Sequence, residues 1–374
     1  MITYFCDKDE IETNAQEQIN SFGINDNIAV FPDVHYCSEK NLPIGIAFTS
    51  DLIYPLITGK DIGCGVMYLK FKKSNLIKPF DKNVHYNTFD KQSYKMTDDG
   101  LGGGNHFLSI EEGDDDFIYI ICHTGSRNLG IALYQRFLKL IDEFNYSQGL
   151  PSTSKYLDKS IINEDLVRYY NQVLDFATNR RKDFVLKTLM MLQTNGYVDC
   201  NKASIDKSYI TKSFKEIDNE GQLNETYYKI QDSIHNHIRF TNENIVHRKG
   251  ATELIIGSEV VIPLSMTRGS LIVKPNYDVY NLELANMSCS HGAGRALSRT
   301  DTLKHWNSGM KESERKMYRK NFSELLDRSG DFPRGYIHEF DFAYKSSQGI
   351  LKMQPHITKV TQTTPIATVK FTEI

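Results

Sequence analysis

One tryptophan, ten prolines, no Cys-x-x-Cys pair and little net charge mark what this 374-residue chain is short of. Each shortage excludes something. The six cysteines (Cys6, Cys37, Cys64, Cys122, Cys200 and Cys289) are scattered without paired spacing, which argues against a disulfide framework and predicts reduced thiols. A formal charge of −3 excludes a generally basic coat for nonspecific nucleic-acid binding, so any phosphate-binding surface must be local. Apolar runs such as Phe117 to Cys122 fall far short of the ~20 residues that span a bilayer, and no membrane association is expected. The stretch Met1 to Glu10 lacks the basic start, apolar core and cleavage site of an export signal, so the cytoplasm is the expected location.

What is present is ordinary for a soluble globular protein: 40% hydrophobic and 24% charged residues, with 21 Tyr and 20 Phe to weight the core. The length would allow two domains, but no repeat or low-complexity linker forces a split. Ile28 to Phe31 reads as a buried strand that delivers Pro32-Asp33-Val34-His35 to its end. Gly65 to Phe71 reads as a second strand, and Phe117 to Cys122 as a third, ending at His123. Polar residues at strand ends suit an α/β or α+β enzyme. Helical spacing runs through Leu129 to Phe144, Glu164 to Gln193 and Gln231 to Phe240, with a helix start over Ser288 to Arg299 and further helices over 311–327 and 342–353. Short strands are expected at 254–256, 260–262 and 270–273, and a closing hairpin at 357–371. The polar stretch 195–226 is expected to be an insertion or mobile loop. Glu111 to Asp116 reads as an acidic loop, and Arg180-Arg181-Lys182 and Lys311 to Lys320 as solvated basic faces.

Chemistry concentrates in short polar motifs. Asp61-Ile62-Gly63-Cys64-Gly65 sets a carboxylate and a thiol in one tight turn, a hard and a soft donor that together suit Mn, Fe, Co or Zn rather than Ca or Mg. Of eleven histidines, six (His35, His106, His123, His235, His247 and His291) lie beside Gly, Asn, Ser or Arg. Asp61, Cys64, His106, His123 and His235 would supply enough ligands for two metals sharing the thiolate. Such sites position and neutralise phosphate oxygens. If a helix begins near His291, Arg295 and Arg299 follow on one face, and the imidazole looks onto an anion site. The plainer alternative is an N-cap serine with two surface arginines. His123-Thr124-Gly125-Ser126-Arg127 and His247-Arg248-Lys249-Gly250 offer two more anion-friendly turns, and three together point to phosphate.

In order, Pro32-Asp33-Val34-His35, Asp61-Ile62-Gly63-Cys64-Gly65, Gly102-Gly103-Gly104-Asn105-His106-Phe107, His123 to Arg127, His235-Asn236, His247 to Ala251 and Ser290 to Arg295 resemble the motifs of the RtcB family of RNA ligases. Ala343-Tyr344-Lys345 and Val369-Lys370 extend the likeness almost to the C-terminus. The resemblance implies a single α/β (α+β) domain whose sheets surround a deep metal-binding cleft. It implies two Mn(II) ions on Asp61, Cys64, His106, His123 and His235, with Cys64 bridging, and GTP as cofactor. His291 takes the position of the guanylylated histidine, and Asp33 lies near the metals, where it would orient the attacking hydroxyl. Asn105, Asn236, Arg295 and Ser265 would hold phosphates. Ser270, Tyr344 and Lys370, with His235, Met266 and Gly292-Ala293-Gly294, would complete the nucleotide site. The implied substrates are broken RNAs, tRNA or rRNA, with 2′,3′-cyclic-phosphate or 3′-phosphate ends and 5′-hydroxyl partners. A monomer is expected, with an archease-type activator as a further partner.

Some positions depart from the family pattern. The segment Tyr36 to Pro43 lacks the usual glycines, Leu264-Ser265-Met266-Thr267 replaces both glycines of a Gly-Ser-Met-Gly loop, and Phe371 to Ile374 follows Lys370. Ser109 stands where a guanine-reading glutamate is usual, with Glu111 or Glu112 as substitutes. These departures describe a divergent branch. Two other readings remain in play: a metal-dependent cyclic phosphoesterase that does not join ends, and a non-catalytic RNA-binding relative.

Overall fold

The computed structural model describes residues 1–21, 27–37, 43–80, 100–152, 154–198, 220–223, 226–241, 244–326 and 334–369. The architecture is α+β, with seven α-helices among these residues. An eight-stranded antiparallel sheet runs in the order β12 (Val260–Ser265), β13 (Gly269–Pro275), β15 (Ile357–Val369), β5 (Phe107–Gly113), β6 (Phe117–Thr124), β4 (Gly65–Lys72), β8 (Thr226–Ile234), β7 (Glu220–Leu223). A five-stranded sheet runs β1 (Ile2–Tyr4), β2 (Ile28–His35), β3 (Ile44–Ser50), β10 (Ile245–Lys249), β9 (Asn236–Phe240). A two-stranded ribbon pairs β11 (Ala251–Glu253) with β14 (Ser288–Ser290).

The central strands are buried on both faces, which is why they read as continuous apolar runs rather than as an alternation. In β6, Ile118, Ile120 and Cys122 enter one cluster while Tyr119 and Ile121 enter another. The first cluster is closed by Phe184, Val185, Leu189 and Leu192 of the long helix α3 (Glu164–Thr194). Asn163 starts that helix by accepting the Leu166 N–H at 2.9 Å. The preceding helix α2 (Asn128–Gln148) ends at Gly149 in the left-handed conformation.

Several elements differ from the sequence-based expectation. Gln231 to Phe240 is not a helix: it is the end of β8 and all of β9 with His235 between them, because β4 offers β8 a complete ladder from Gly65 to Phe71 and pairing overrides local periodicity. The C-terminal stretch is one 13-residue strand rather than a hairpin, bridging β13 and β5 with a register shift between Pro365 and Ala367. Proline cannot donate to the ladder, which fits that irregularity. Ser288 to Ser290 is a strand, and the helix begins only at Arg299, capped by Ser298 through the Asp301 N–H. His247 to Lys249 lie in β10 rather than in a turn, and His247 stacks on Phe48 in the core. In the expected insertion, 220–223 form β7, and 199–219 lie outside the described residues.

Candidate metal and nucleotide site

Register alone brings the expected metal donors together. Gly65 of β4 pairs with Thr124 on one side and Ile234 on the other, so Cys64 emerges between His123 of β6 and His235, which follows β8. Phe107 pairs with His123, which sets His106 beside them. Strands ~4.8 Å apart leave such side chains close enough to share a ligand. Cys64 Sγ lies 3.4 Å from His106 Nε2 and 3.3 Å from His123 Nε2, and His123 Nε2 lies 3.4 Å from His235 Nε2. Asp61 Oδ2 is 3.0 Å from His106 Nε2. All five predicted donors therefore form one chain of contacts.

Their protonation fits a cation. His123 Nδ1 donates to the Asn105 carbonyl at 3.0 Å, which leaves Nε2 as a lone pair facing Cys64 and His235. Burial, then the neighbouring imidazoles, hold His123 and His235 well below the usual histidine range, so both stay neutral. Burial would raise Asp61, but His106 and the Arg127 N–H outweigh it and hold the carboxyl far below its ordinary value. Burial and Asp61 push the Cys64 thiol well up, a cost that a bound divalent cation offsets directly. Buried lone pairs facing one another, with a thiol and a carboxylate among them, are a donor set that fits a borderline metal. Glycine makes room for it: a Cβ at Gly125 would sit 2.2 Å from Asp61 Oδ1.

Beneath the turn lies Arg181, fully buried on α3. Its Nη1 donates to the carbonyls of Gly63 (2.8 Å) and Thr124 (2.9 Å), and its Nε and Nη2 form a bidentate pair with Asp232, each at 2.7 Å. One side chain thus pins the Cys64 turn, the end of β6 and β8. Arg181 was expected on a solvated face. Its position could have been found from periodicity, since Ala177, Arg181 and Val185 recur at i, i+4 and i+8 within the apolar stripe of the helix.

Across the cleft, His291 sits on the loop after β14. Asp33 Oδ2 accepts the backbone N–H of His291 and of Gly292, both at 3.1 Å, and also contacts His291 Nδ1. Gly294 permits this wrap: φ is +69°, and a Cβ there would meet Asp33 Cα at 2.6 Å. Burial opposes charge on His291, but the Asp33 carboxylate outweighs it and raises the imidazole above its ordinary value. With Nδ1 engaged by Asp33, Nε2 is the ring nitrogen left for chemistry. The His291 and His235 ring centroids are 4.8 Å apart, so this imidazole abuts the metal cluster.

His291, Asp33 and His123 share a cleft of about 870 Å³ with Asn105, Ser265, Met266, Ser270, Gly292, Ala293, Gly294, Arg295 and Tyr344. Several of these have structural work. Arg295 does not rise from a helical stripe; its nitrogens donate to the Leu297 and His338 carbonyls and to Thr302 Oγ1, and it lies over the Tyr344 ring. Asn236 accepts the Gly250 N–H at 2.8 Å and donates to the Asp61 carbonyl at 3.4 Å, tying the metal turn to β10. Ser265 Oγ accepts the Arg268 N–H, and Met266 packs with Trp306 and Phe340. Tyr344 donates to Glu339. Lys370 lies outside the described residues.

The family described as tRNA-splicing ligase RtcB matches residues 75–371. The RNA-splicing ligase RtcB2 of Escherichia coli strain ATCC 25922 is 26% identical over 78% of this chain and 75% of its own length. The RNA-splicing ligase RtcB of Escherichia coli strain K12 is 25% identical over 94% of this chain and 93% of its own. The tRNA-splicing ligase RtcB of Methanococcus maripaludis is 24% identical over 62% of this chain and 51% of its own. A family match across most of the chain, together with a converged five-donor cluster and an anchored histidine, places this protein in the RtcB family.

Proposed function

We propose that this protein is an RNA ligase that joins 2′,3′-cyclic-phosphate or 3′-phosphate ends to 5′-hydroxyl ends, using GTP and Mn(II). The reading is carried by the approach of His291, fixed on Asp33, to a ring-centroid distance of 4.8 Å from His235, beside a cleft that His123 of the donor cluster also lines. Two Mn(II) ions on Asp61, Cys64, His106, His123 and His235 would neutralise phosphate charge and orient phosphate oxygens. His291 Nε2 attacks the α-phosphorus of GTP, forms a P–N bond and releases pyrophosphate. Water opens a cyclic end to a 3′-phosphate, and GMP passes from His291 to that phosphate. The 5′-hydroxyl of the second fragment attacks the activated 3′-phosphorus and expels GMP, a far better leaving group than phosphate oxygen alone.

Asp33 serves twice in this scheme. Oδ2 holds His291, and Oδ1, buried with no hydrogen-bond partner among the described residues, is free to accept a hydrogen bond from a substrate hydroxyl. The substrates are cytoplasmic broken tRNA or rRNA, met by a monomer with or without an archease-type activator. The test is incubation with Mn(II) and GTP labelled at the α-phosphate. An acid-labile, alkali-stable label is expected on the wild type and none on His291→Ala. No label on the wild type with any nucleotide would refute the reading.

A further inference from the structure

Charge is unevenly distributed along this chain. The whole sequence carries −3, yet residues 299–320 hold seven Lys and Arg against three acidic residues. They belong to one helical module made of the helix Arg299–Lys304, a π-turn over His305–Gly309 and the helix Glu312–Leu326. Ser298 and Arg299, at its start, line the cleft. Trp306 anchors the module: it stacks on Phe340 with ring centroids 5.1 Å apart and shares a buried cluster with Met266, itself a cleft residue. Arg315 locks the second helix onto the turn through the Trp306 and Asn307 carbonyls, at 2.8 and 3.0 Å. That helix also runs beside β15, whose Thr368 lines the cleft again. Both ends of the module therefore meet elements that wall the cleft.

The outward face of the second helix is not neutralised from within. Lys311, Lys316, Arg319 and Lys320 are all exposed. Lys316 and Lys320 stand at i and i+4, one above the other on the same face. Glu312 serves several cations at once: Arg315 at 2.9 Å, Arg319 at 3.5 Å, and Lys316 within its electrostatic reach. Glu314 turns back to the helix start, where it accepts the Lys311 N–H at 2.8 Å. The balance is an excess of positive charge along a helix ~22 Å long. Charge complementarity asks for an extended polyanion there. Lysines, compact charges on flexible stems, suit a repeating phosphate backbone better than a single carboxylate held in one geometry.

We propose that the face carrying Lys311, Lys316 and Lys320 holds the RNA strand that trails out of the cleft, gripping its phosphates several nucleotides away from the reacting end. The inference rests on the ligase reading above. It is tested on the full chain, without GTP or metal, by fluorescence anisotropy over a series of salt concentrations. The probes are a long single-stranded RNA ending in a 3′-phosphate and a dinucleotide with the same end. The triple variant K311Q/K316Q/K320Q should bind the long RNA about 10- to 100-fold more weakly near ~0.1 M salt. Its salt slope should be shallower by about 2, since each lost phosphate contact removes ~0.7. The dinucleotide reaches only the cleft and should bind both proteins alike, and His291 should take label from GTP at the same rate in both. Undiminished affinity for the long RNA, or an unchanged slope, in a triple variant with the wild-type urea midpoint overturns the proposal, as does an equal loss for the dinucleotide. Failure of the wild type to bind either RNA refutes the ligase reading instead.

Discussion

At the scale of single residues, the site depends on side chains that spend one atom on the protein and keep another for the reaction. Asp33 fixes His291 through its backbone and its Nδ1, so Asp33→Asn keeps the shape but alters the tautomer preference of the imidazole. Single-turnover guanylylation should slow by about 10²- to 10⁴-fold while metal content is unchanged. Loss of metal with the rate retained would contradict this role. Cys64 touches both His106 and His123 and is the shared ligand in this scheme. Metal analysis of Cys64→Ala should find neither ion, and two retained equivalents would remove the bridging assignment.

At the scale of elements, the long helix α3 matters more than its distance from the substrate suggests. Arg181 pins Gly63, Thr124 and Asp232 in a buried setting. Arg181→Met leaves the Asp232 carboxylate uncompensated, which should cost about 3–5 kcal/mol in urea unfolding, and Asp232→Asn in the same protein should recover part of it. Full stability in the single variant would show that the pair does not hold the turn. Legibility in the sequence divides along the same line. Asp61, Cys64, His106, His123 and His291 could be read because each stands in a short motif with glycine or asparagine beside it. Strand register then had only to bring those motifs together. The helical spacing of 231–240 yields to pairing with β4, and the glycine-punctuated stretch 288–299 opens as a strand on β11 instead of as a helix, outcomes that only the partner strands decide. The terminal stretch forms one strand where a hairpin is expected from sequence, because Pro365 marks a bulge as readily as a turn. Arg295 lines the cleft and Asn236 ties the Asp61 turn to Gly250, and the contacts of both are with the protein, which no motif announces.

At the scale of the whole molecule, the histidines that build the core set its response to acid. Burial holds His247 down to about 3 and His356 down to about 4, the first stacked on Phe48 and the second donating to the Ser288 carbonyl. Unfolded histidine titrates near 6.5, so below that pH the unfolded chain binds protons that the folded chain refuses. Stability is therefore complete above pH ~6.5 and declines as pH falls toward 4 and then 3. Urea midpoints measured across that range should drop, and His247→Gln should flatten the decline; a flat profile in the wild type would contradict the burial of both rings. Among the described residues no helix is long and apolar enough to cross a membrane. The measurement that bears most directly on the central claim is joining itself. RNA fragments ending in a 2′,3′-cyclic phosphate and in a 5′-hydroxyl, incubated with the protein, Mn(II) and GTP, should yield one joined strand with the wild type and none with His291→Ala. Opening of the cyclic phosphate with no joined strand, or joining that survives loss of His291, would contradict the account.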